Sequence, residues 1–288
     1  MSDDRRERLA ARYDDLLGLF ELQWRSHGHQ SVHFGYYDDA HDDPGSAMVN
    51  TTRKLAEVAD VGASDRVLDL GCGGGGDAVW LATECGADVV GVDLVVAQLE
   101  LGKERAVEAG VDDRVTFWRD DYHELRSVDD GSIDVAWALE SLSHSSEPAT
   151  VTERVREALA PDGLFVVADV FLADADVERT HAEHLDAIES DMGLRFRPLS
   201  AFLDDLEDAG FTAIEHWDVT PAVMPGADRS TSSSSLFGPL SSVGSALGLT
   251  PDAASEYFDF WSNVHELFQA DTAGYHFVRA RVPDRSES

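Results

Sequence analysis

The sequence predicts an α/β protein: a seven-stranded, mostly parallel sheet with helices on both faces. Two observations lead there. Short apolar runs alternate along the chain with amphipathic stretches, and the first such run ends in a glycine-rich loop that opens a helix.

The elements follow in order. From Asp4 to Trp24 the residues Leu9, Tyr13, Leu16, Leu17, Phe20 and Trp24 recur every three or four positions, the stripe of an amphipathic helix. Pro44-Gly45 introduces a second helix, from Ser46 to Ala59. Strands are expected at Arg66–Leu70, Asp88–Asp93, Arg114–Trp118, Ile133–Ala138 and Leu164–Val170, with helices at Asp77–Cys85, Val95–Ala109 and Ala149–Leu159 between them. Beyond Val170 the order loosens into helices at Asp174–Asp191 and Ser200–Ala209, a strand at Phe211–Val219, a helix at Ala253–Phe268 and a strand at Gly274–Val282. The Ser/Gly-rich segment 230–248 reads either as a lid or as a disordered loop. Three regions result: a helical cap over 1–60, a cofactor-binding core over 61–170, and a completion of the sheet with helical insertions over 171–288, all within one catalytic domain.

Composition narrows the function. Across 288 residues, 56 acidic side chains face 22 basic ones, a formal charge of -34 that repels nucleic-acid backbones and anionic lipid surfaces. A small-molecule partner is left. The 43% hydrophobic content is ample for a core. Asp outnumbers Glu by 36 to 20, and Lys54 and Lys103 are the only lysines beside 20 arginines. Such a hydrated carboxylate surface suits a salt-saturated cytoplasm, where the Debye length falls to ~3 Å and screens self-repulsion. No apolar run is long enough to span a membrane and the first residues carry no apolar signal region, so a cytoplasmic location is expected. Cys72 and Cys85 are too few for a disulfide framework and are expected to be buried apolar residues. His27, His29, His33 and His41 have a loose spacing without helical i, i+4 support, so no metal is expected.

The glycine loop carries the chemistry. Gly71, Gly73 and Gly76 satisfy a dinucleotide-binding pattern at the carboxyl end of the first strand. Asp69 argues against a dinucleotide. A carboxylate two residues before the first glycine would repel a pyrophosphate but would favour the ammonium and sulfonium of S-adenosylmethionine, which has no phosphate. Asp93 closes the second strand, where a carboxylate can accept both ribose hydroxyls. Asp121, with Asp120 as a rival, follows the third strand and is placed to accept from an adenine amino group.

These residues resemble the class I S-adenosylmethionine-dependent methyltransferases, in particular the small-molecule group acting on tocopherols, sterols, sarcosine/dimethylglycine and antibiotics. Val67-Leu-Asp-Leu-Gly-Cys-Gly-Gly-Gly75 is similar to the first family motif, Gly91-Val-Asp93 with Gln98 to the ribose element, and Val115-Thr-Phe117 with Asp121 to the adenine element. Trp137-Ala-Leu-Glu-Ser-Leu-Ser-His144 resembles the fourth-strand motif, and Leu159-Ala-Pro-Asp-Gly163 the turn before the fifth strand, with Asp162 in place of the usual glycine. Trp24, His33-Phe-Gly-Tyr-Tyr37 and Ala273-Gly-Tyr-His-Phe-Val278 are similar to this group as well. The resemblance implies a Rossmann-like sheet with an antiparallel last strand, and S-adenosylmethionine held by Asp69, Gly71, Gly73, Gly75, Asp93, Leu94, Gln98, Asp121, Tyr122 and Leu139. It also implies His144 and Asp169 as the catalytic pair, in a monomer or homodimer. Ser143 stands where relatives often carry a second histidine.

Methyl transfer from a sulfonium needs alignment and, for many acceptors, a base; an imidazole of ordinary pKa suits the second task. His144 is the expected base and Asp169 its orienting partner, while Trp24, His33, Tyr36 and Tyr37 are candidates for the acceptor wall or for plain packing. Two other readings stand beside this one, a cofactor-binding protein without turnover and an NAD-dependent oxidoreductase. The charge of -34 gives a first prediction: the melting temperature in about 3 M KCl exceeds that in about 0.1 M, and a flat or falling dependence would reject the halophilic reading.

Overall fold

A computed structural model describes residues 3–27, 30–229 and 252–284; the segment 230–248 lies outside them. Its centre is one seven-stranded sheet of β1 (Arg66–Leu70), β2 (Asp88–Asp93), β3 (Val115–Arg119), β4 (Ile133–Leu139), β5 (Leu159–Leu172), β6 (Thr212–Asp218) and β7 (Ala273–Arg281). The spatial order is β3-β2-β1-β4-β5-β7-β6. Strands β1 to β5 pair in parallel, and β7 runs antiparallel to both β5 and β6.

Successive side chains point to opposite faces of a strand, so each strand feeds two cores. On one face Val67, Val89, Val135, Trp137 and Val166 pack beneath α1 (Asp3–His27), α2 (Pro44–Ala59), α3 (Gly76–Trp80) and α4 (Val96–Ala109). On the other, Leu68, Val90, Ala136 and Phe165 meet Val151 and Val155 of α5 (Pro148–Ala158). The expected helix at Asp174–Asp191 is broken into α6 (Val177–Thr180) and α7 (Ala182–Met192), and α8 (Leu199–Asp208) adds Phe202 and Leu206 to the second core. A helix over 220–229, α9, was not legible in the sequence, although Asp218 Oδ1 accepts from Thr220 N at its start. The last helix, α10, is Asp252–Gln269.

Local chemistry sets the ends. Asp43 caps α2 through Ser46 N and Pro44 fills the first turn. Asp162 takes φ 64° in the turn entering the apolar part of β5, a left-handed conformation that Asp tolerates better than most residues. Cys72 is buried as expected, whereas Cys85 is only partly so, because the helical stretch that carries it ends at the surface.

Because β1 is followed spatially by β2 on one side and β4 on the other, the strand order reverses beside β1. The carboxyl ends of β1, β2 and β4 therefore open a crevice there, the place where such sheets receive ligands. Helix α1 lies across it. Leu16 and Phe20 anchor the helix in the first core, 1% and 2% exposed. Arg5 pairs with Glu189 of α7, Arg6 with Asp121 and Glu124, and Arg12 with Glu256 of α10.

Candidate active site

The glycine loop is shaped by backbone demands. Gly71 has φ 72°, and a Cβ there would lie 2.7 Å from Ser141 Cβ; at Gly75, φ is 74° and a Cβ would meet Phe117 at 2.6 Å. Only glycine satisfies both conditions. Arg105 of α4 donates to the carbonyls of Gly74 and Gln30, tying the loop to the strap 30–34 that passes over it.

Beneath α1 this loop borders a cavity of about 140 Å³. Gly71, Gly73, Asp93, Leu94, Gln98, Asp121, Tyr122 and Leu139, all expected from the sequence, line it. Asp93 accepts from Gly73 N (2.9 Å) and Val95 N (2.8 Å); burial raises its pKa, and these amides hold it back. Asp121 is more committed than expected. Its oxygens meet Arg6 Nε at 2.5 Å and His123 Nδ1 at 2.5 Å; burial alone would raise its pKa, but these partners leave it lowered. Asp120 also reaches the cavity, but its oxygens take Asp121 N, Ser127 N and Ser127 Oγ and build a turn.

Two expected cofactor residues stand back from the wall. Gly75 serves as the residue before α3, and Asp69 is buried behind the loop with no hydrogen-bond partner for Oδ2. Burial, with Asp77 and Asp93 nearby, raises the Asp69 pKa well above the usual range. Asp77, which the sequence reading passed over, does line the cavity; Thr52 Oγ1 donates to it and His33 Nε2 lies 3.6 Å away. Burial alone would lower the His33 pKa, but the Asp77 and Glu140 charges and the Phe34 carbonyl leave it raised.

A second cavity, about 70 Å³, adjoins the first and shares Tyr13, Phe20, His33, Glu140 and His144 with it. Its far wall is aromatic: Phe34, Phe196, Tyr257, Phe260 and Trp261. Of the expected acceptor residues, His33 reaches both cavities. Tyr36 packs toward Phe277 of β7 and Tyr37 lies under Arg229 of α9, and neither lines either of these two cavities. The Trp24 side chain lies outside the described ones. His41 pairs with Asp38 at 2.6 Å, and the side chains of His27 and His29 also fall outside the described set.

The expected catalytic pair is arranged differently. Tyr13 Oη of α1, not Asp169, meets His144 Nε2, at 2.8 Å. Asp169 instead accepts from Ser143 N and Val170 N, fixing the backbone turn that carries His144. Burial lowers the His144 pKa to about 4 and raises that of Asp169 to about 6. A rate rise near the ordinary histidine pKa is therefore not expected. Glu140, inside the motif quoted above but not singled out there, accepts from Phe34 N (2.6 Å) and Tyr275 Oη (2.7 Å), and burial raises its pKa to about 7.

The buried, unpartnered oxygens of Asp69 and Ser141 and a loop that excludes any Cβ fit S-adenosylmethionine, whose charged end needs acceptors and close backbone approach. The methyltransferase domain model matches residues 62–195. The chain is 34% identical over 209 residues to the methyltransferase GfsG of Streptomyces halstedii, covering 69% of this chain and 74% of that one. The chain belongs to the S-adenosylmethionine-dependent methyltransferases. It is also 36% identical over 173 residues to the 27-O-demethylrifamycin SV methyltransferase of Amycolatopsis mediterranei, a match spanning 58% of this chain and 62% of that enzyme's length. Among solved structures, the [4+2]-cyclase SpnF superposes with a TM-score of 0.72 at 25% identity, over 88% of each chain. Among the described residues no helix is long and apolar enough to cross a membrane.

Two predictions follow from this methyltransferase site. Asp93→Ala removes an acceptor worth ~1.5 to 3 kcal/mol and weakens S-adenosylmethionine binding at least ~10-fold by calorimetry; unchanged affinity rejects its role. Glu140 and Asp169, with native pKa values of about 7 and 6, hold protons that the unfolded chain releases near pH 4, so stability is lost as pH rises between those limits. Measured in molar KCl, the melting temperature should fall from about pH 5.5 to about pH 8, and Glu140→Gln should flatten that slope; parallel slopes reject the assignment.

Proposed function

We propose that this methyltransferase moves the methyl group of S-adenosylmethionine onto a small molecule held in the aromatic chamber. The carrying observation is that the glycine-loop cavity and the chamber share one wall, formed by Tyr13, His33, Glu140 and His144. The bound cofactor supplies an electrophilic methyl on a sulfonium. The chain's own part is alignment and exclusion of water, together worth ~7 to 11 kcal/mol in a well-oriented pair.

His144 fits a closing role beside its role as expected base. A neutral imidazole with a pKa of about 4 is a weak base at neutral pH, yet its bond to Tyr13 fastens α1 across both cavities. Asp169 holds the turn under His144 and so places it for that bond. Asp69 is positioned to offset positive charge from behind Gly71, with Asp93 and Gln98 serving the ribose and Asp121 and Tyr122 the adenine side.

Incubation with methyl-labelled S-adenosylmethionine and a panel of quinones, phenols, amines and isoprenoids in molar KCl tests the reading, which requires label in a product. The similarity to a [4+2]-cyclase adds a second outcome to inspect, an unlabelled isomer of the substrate.

The clasp has its own test. Tyr13→Phe removes one hydrogen bond of ~0.5 to 1.5 kcal/mol, so S-adenosylmethionine should leave ~2- to 10-fold faster in stopped-flow release. The same substitution should add nothing in a His144→Ala background, since the bond is already gone. Additive effects would separate the two residues and reject the clasp.

A further inference from the structure

The aromatic chamber differs from the cofactor cavity in how its polar groups are arranged. Among its described lining residues there is no lysine or arginine, and its ionisable groups are the carboxyls of Glu140 and Asp169, the phenols of Tyr13 and Tyr257, and His33 and His144. Both Asp169 oxygens accept backbone amides. Both bonds to Glu140 fall on Oε1, from Phe34 N and Tyr275 Oη, and Oε2 makes none. Glu140 is also one of the few non-glycine residues with a left-handed backbone, φ 51°, a conformation that costs about 1 to 3 kcal/mol and persists where the surroundings demand it. Here it sits at the end of β4 on the wall common to both cavities.

We propose that the chamber takes an uncharged, largely apolar acceptor bearing a hydroxyl group, and that Glu140 Oε2 receives the hydrogen bond, and then the proton, of that hydroxyl. The inference rests on the methyl-transfer reading above. As the acceptor oxygen's lone pair forms the bond to the methyl carbon, the carbon–sulfur bond breaks with its electron pair going to sulfur. The hydroxyl proton passes to the Glu140 carboxylate.

The alternatives fail on charge. A phosphate or carboxylate acceptor would meet, among the described lining residues, two carboxyl groups and no lysine or arginine, while His33, its pKa raised by the Asp77 and Glu140 charges, already faces those carboxyls. A protonated amine would be welcomed by the same carboxyls, but it has no lone pair for the methyl, and a neighbouring carboxylate holds its proton in place. A hydroxyl escapes both problems, because it enters neutral and yields its proton only as the new bond forms. The groups facing Glu140 agree with this assignment: His33 from the strap favours the ionised carboxylate, Tyr275 and Phe34 N bond to it, and Asp169 opposes its ionisation. A pKa of about 7 keeps the carboxyl near the working pH of a base.

The test uses the full chain loaded with S-adenosylhomocysteine at about pH 8.5, above the Glu140 pKa of about 7, and three probes on one ring system: 2-naphthylmethanol, 2-naphthylmethylamine and 2-naphthyl phosphate. Calorimetry should show the alcohol binding at least ~10-fold tighter than the phosphate and the ammonium. In Glu140→Leu the alcohol should lose its lead over the ammonium while 2-methylnaphthalene binds as in the wild type, which checks that the chamber is still formed. Tighter or equal binding of either charged probe to the wild type, or no binding of the alcohol, overturns the proposal. Loss of S-adenosylhomocysteine binding in the wild type would instead strike the methyl-transfer reading, so the two failures are distinguishable.

Discussion

The constraint on which the site depends is the burial of negative charge at the point where the strand order reverses. Asp69, Asp77, Asp93, Glu140 and Asp169 lie near the carboxyl ends of β1, β2, β4 and β5, and burial raises the pKa of four of them. An unpaired buried carboxylate is costly, so the backbone is arranged to supply donors. Gly73 N and Val95 N serve Asp93, Ser143 N and Val170 N serve Asp169, and Phe34 N serves Glu140. The donors hold the loops in place, and because burial disfavours ionisation of these carboxyls, a cation beside them is favoured. S-adenosylmethionine, positive at its sulfonium, suits that field; a dinucleotide pyrophosphate does not.

Helix α1 completes the site by a different chemistry. Its apolar side enters the core through Leu16 and Phe20, while Arg5, Arg6 and Arg12 reach out to Glu189, Asp121, Glu124 and Glu256. Except at the buried Asp121, these pairs are partly open to water, contribute little individually and are weakened by salt. Molar salt would strengthen the apolar anchoring and loosen the arginine tethers at once. The cover is then held mainly by packing and by the buried bond between Tyr13 and His144, neither of which depends on screening in the same way.

The fold was legible because parallel strands buried on both faces leave continuous apolar runs, and β1, β2 and β4 were bounded to within a residue. The lining of the glycine-loop cavity was legible because most of its expected residues sit at strand ends, where sequence position fixes spatial position. The wall of the aromatic chamber was not. Tyr13 is one member of a helical apolar stripe, and nothing local separates the phenol that meets His144 from its neighbours that pack. Glu140 lay within a quoted motif, but its pKa of about 7 comes from burial, held back by bonds from Phe34 N and Tyr275 Oη, groups far from it in sequence. For Tyr36 and Tyr37 the sequence left acceptor wall and plain packing open, since an aromatic pair in a loop looks the same whether it faces a cavity or, as here, β7 and α9.

The same separation marks the residues that line both cavities. His144, neutral over most of the pH range, can hold Tyr13 without responding to the charge of the cofactor beside it. Glu140 does respond: a sulfonium nearby favours its ionised form, opposing the burial that raises its pKa.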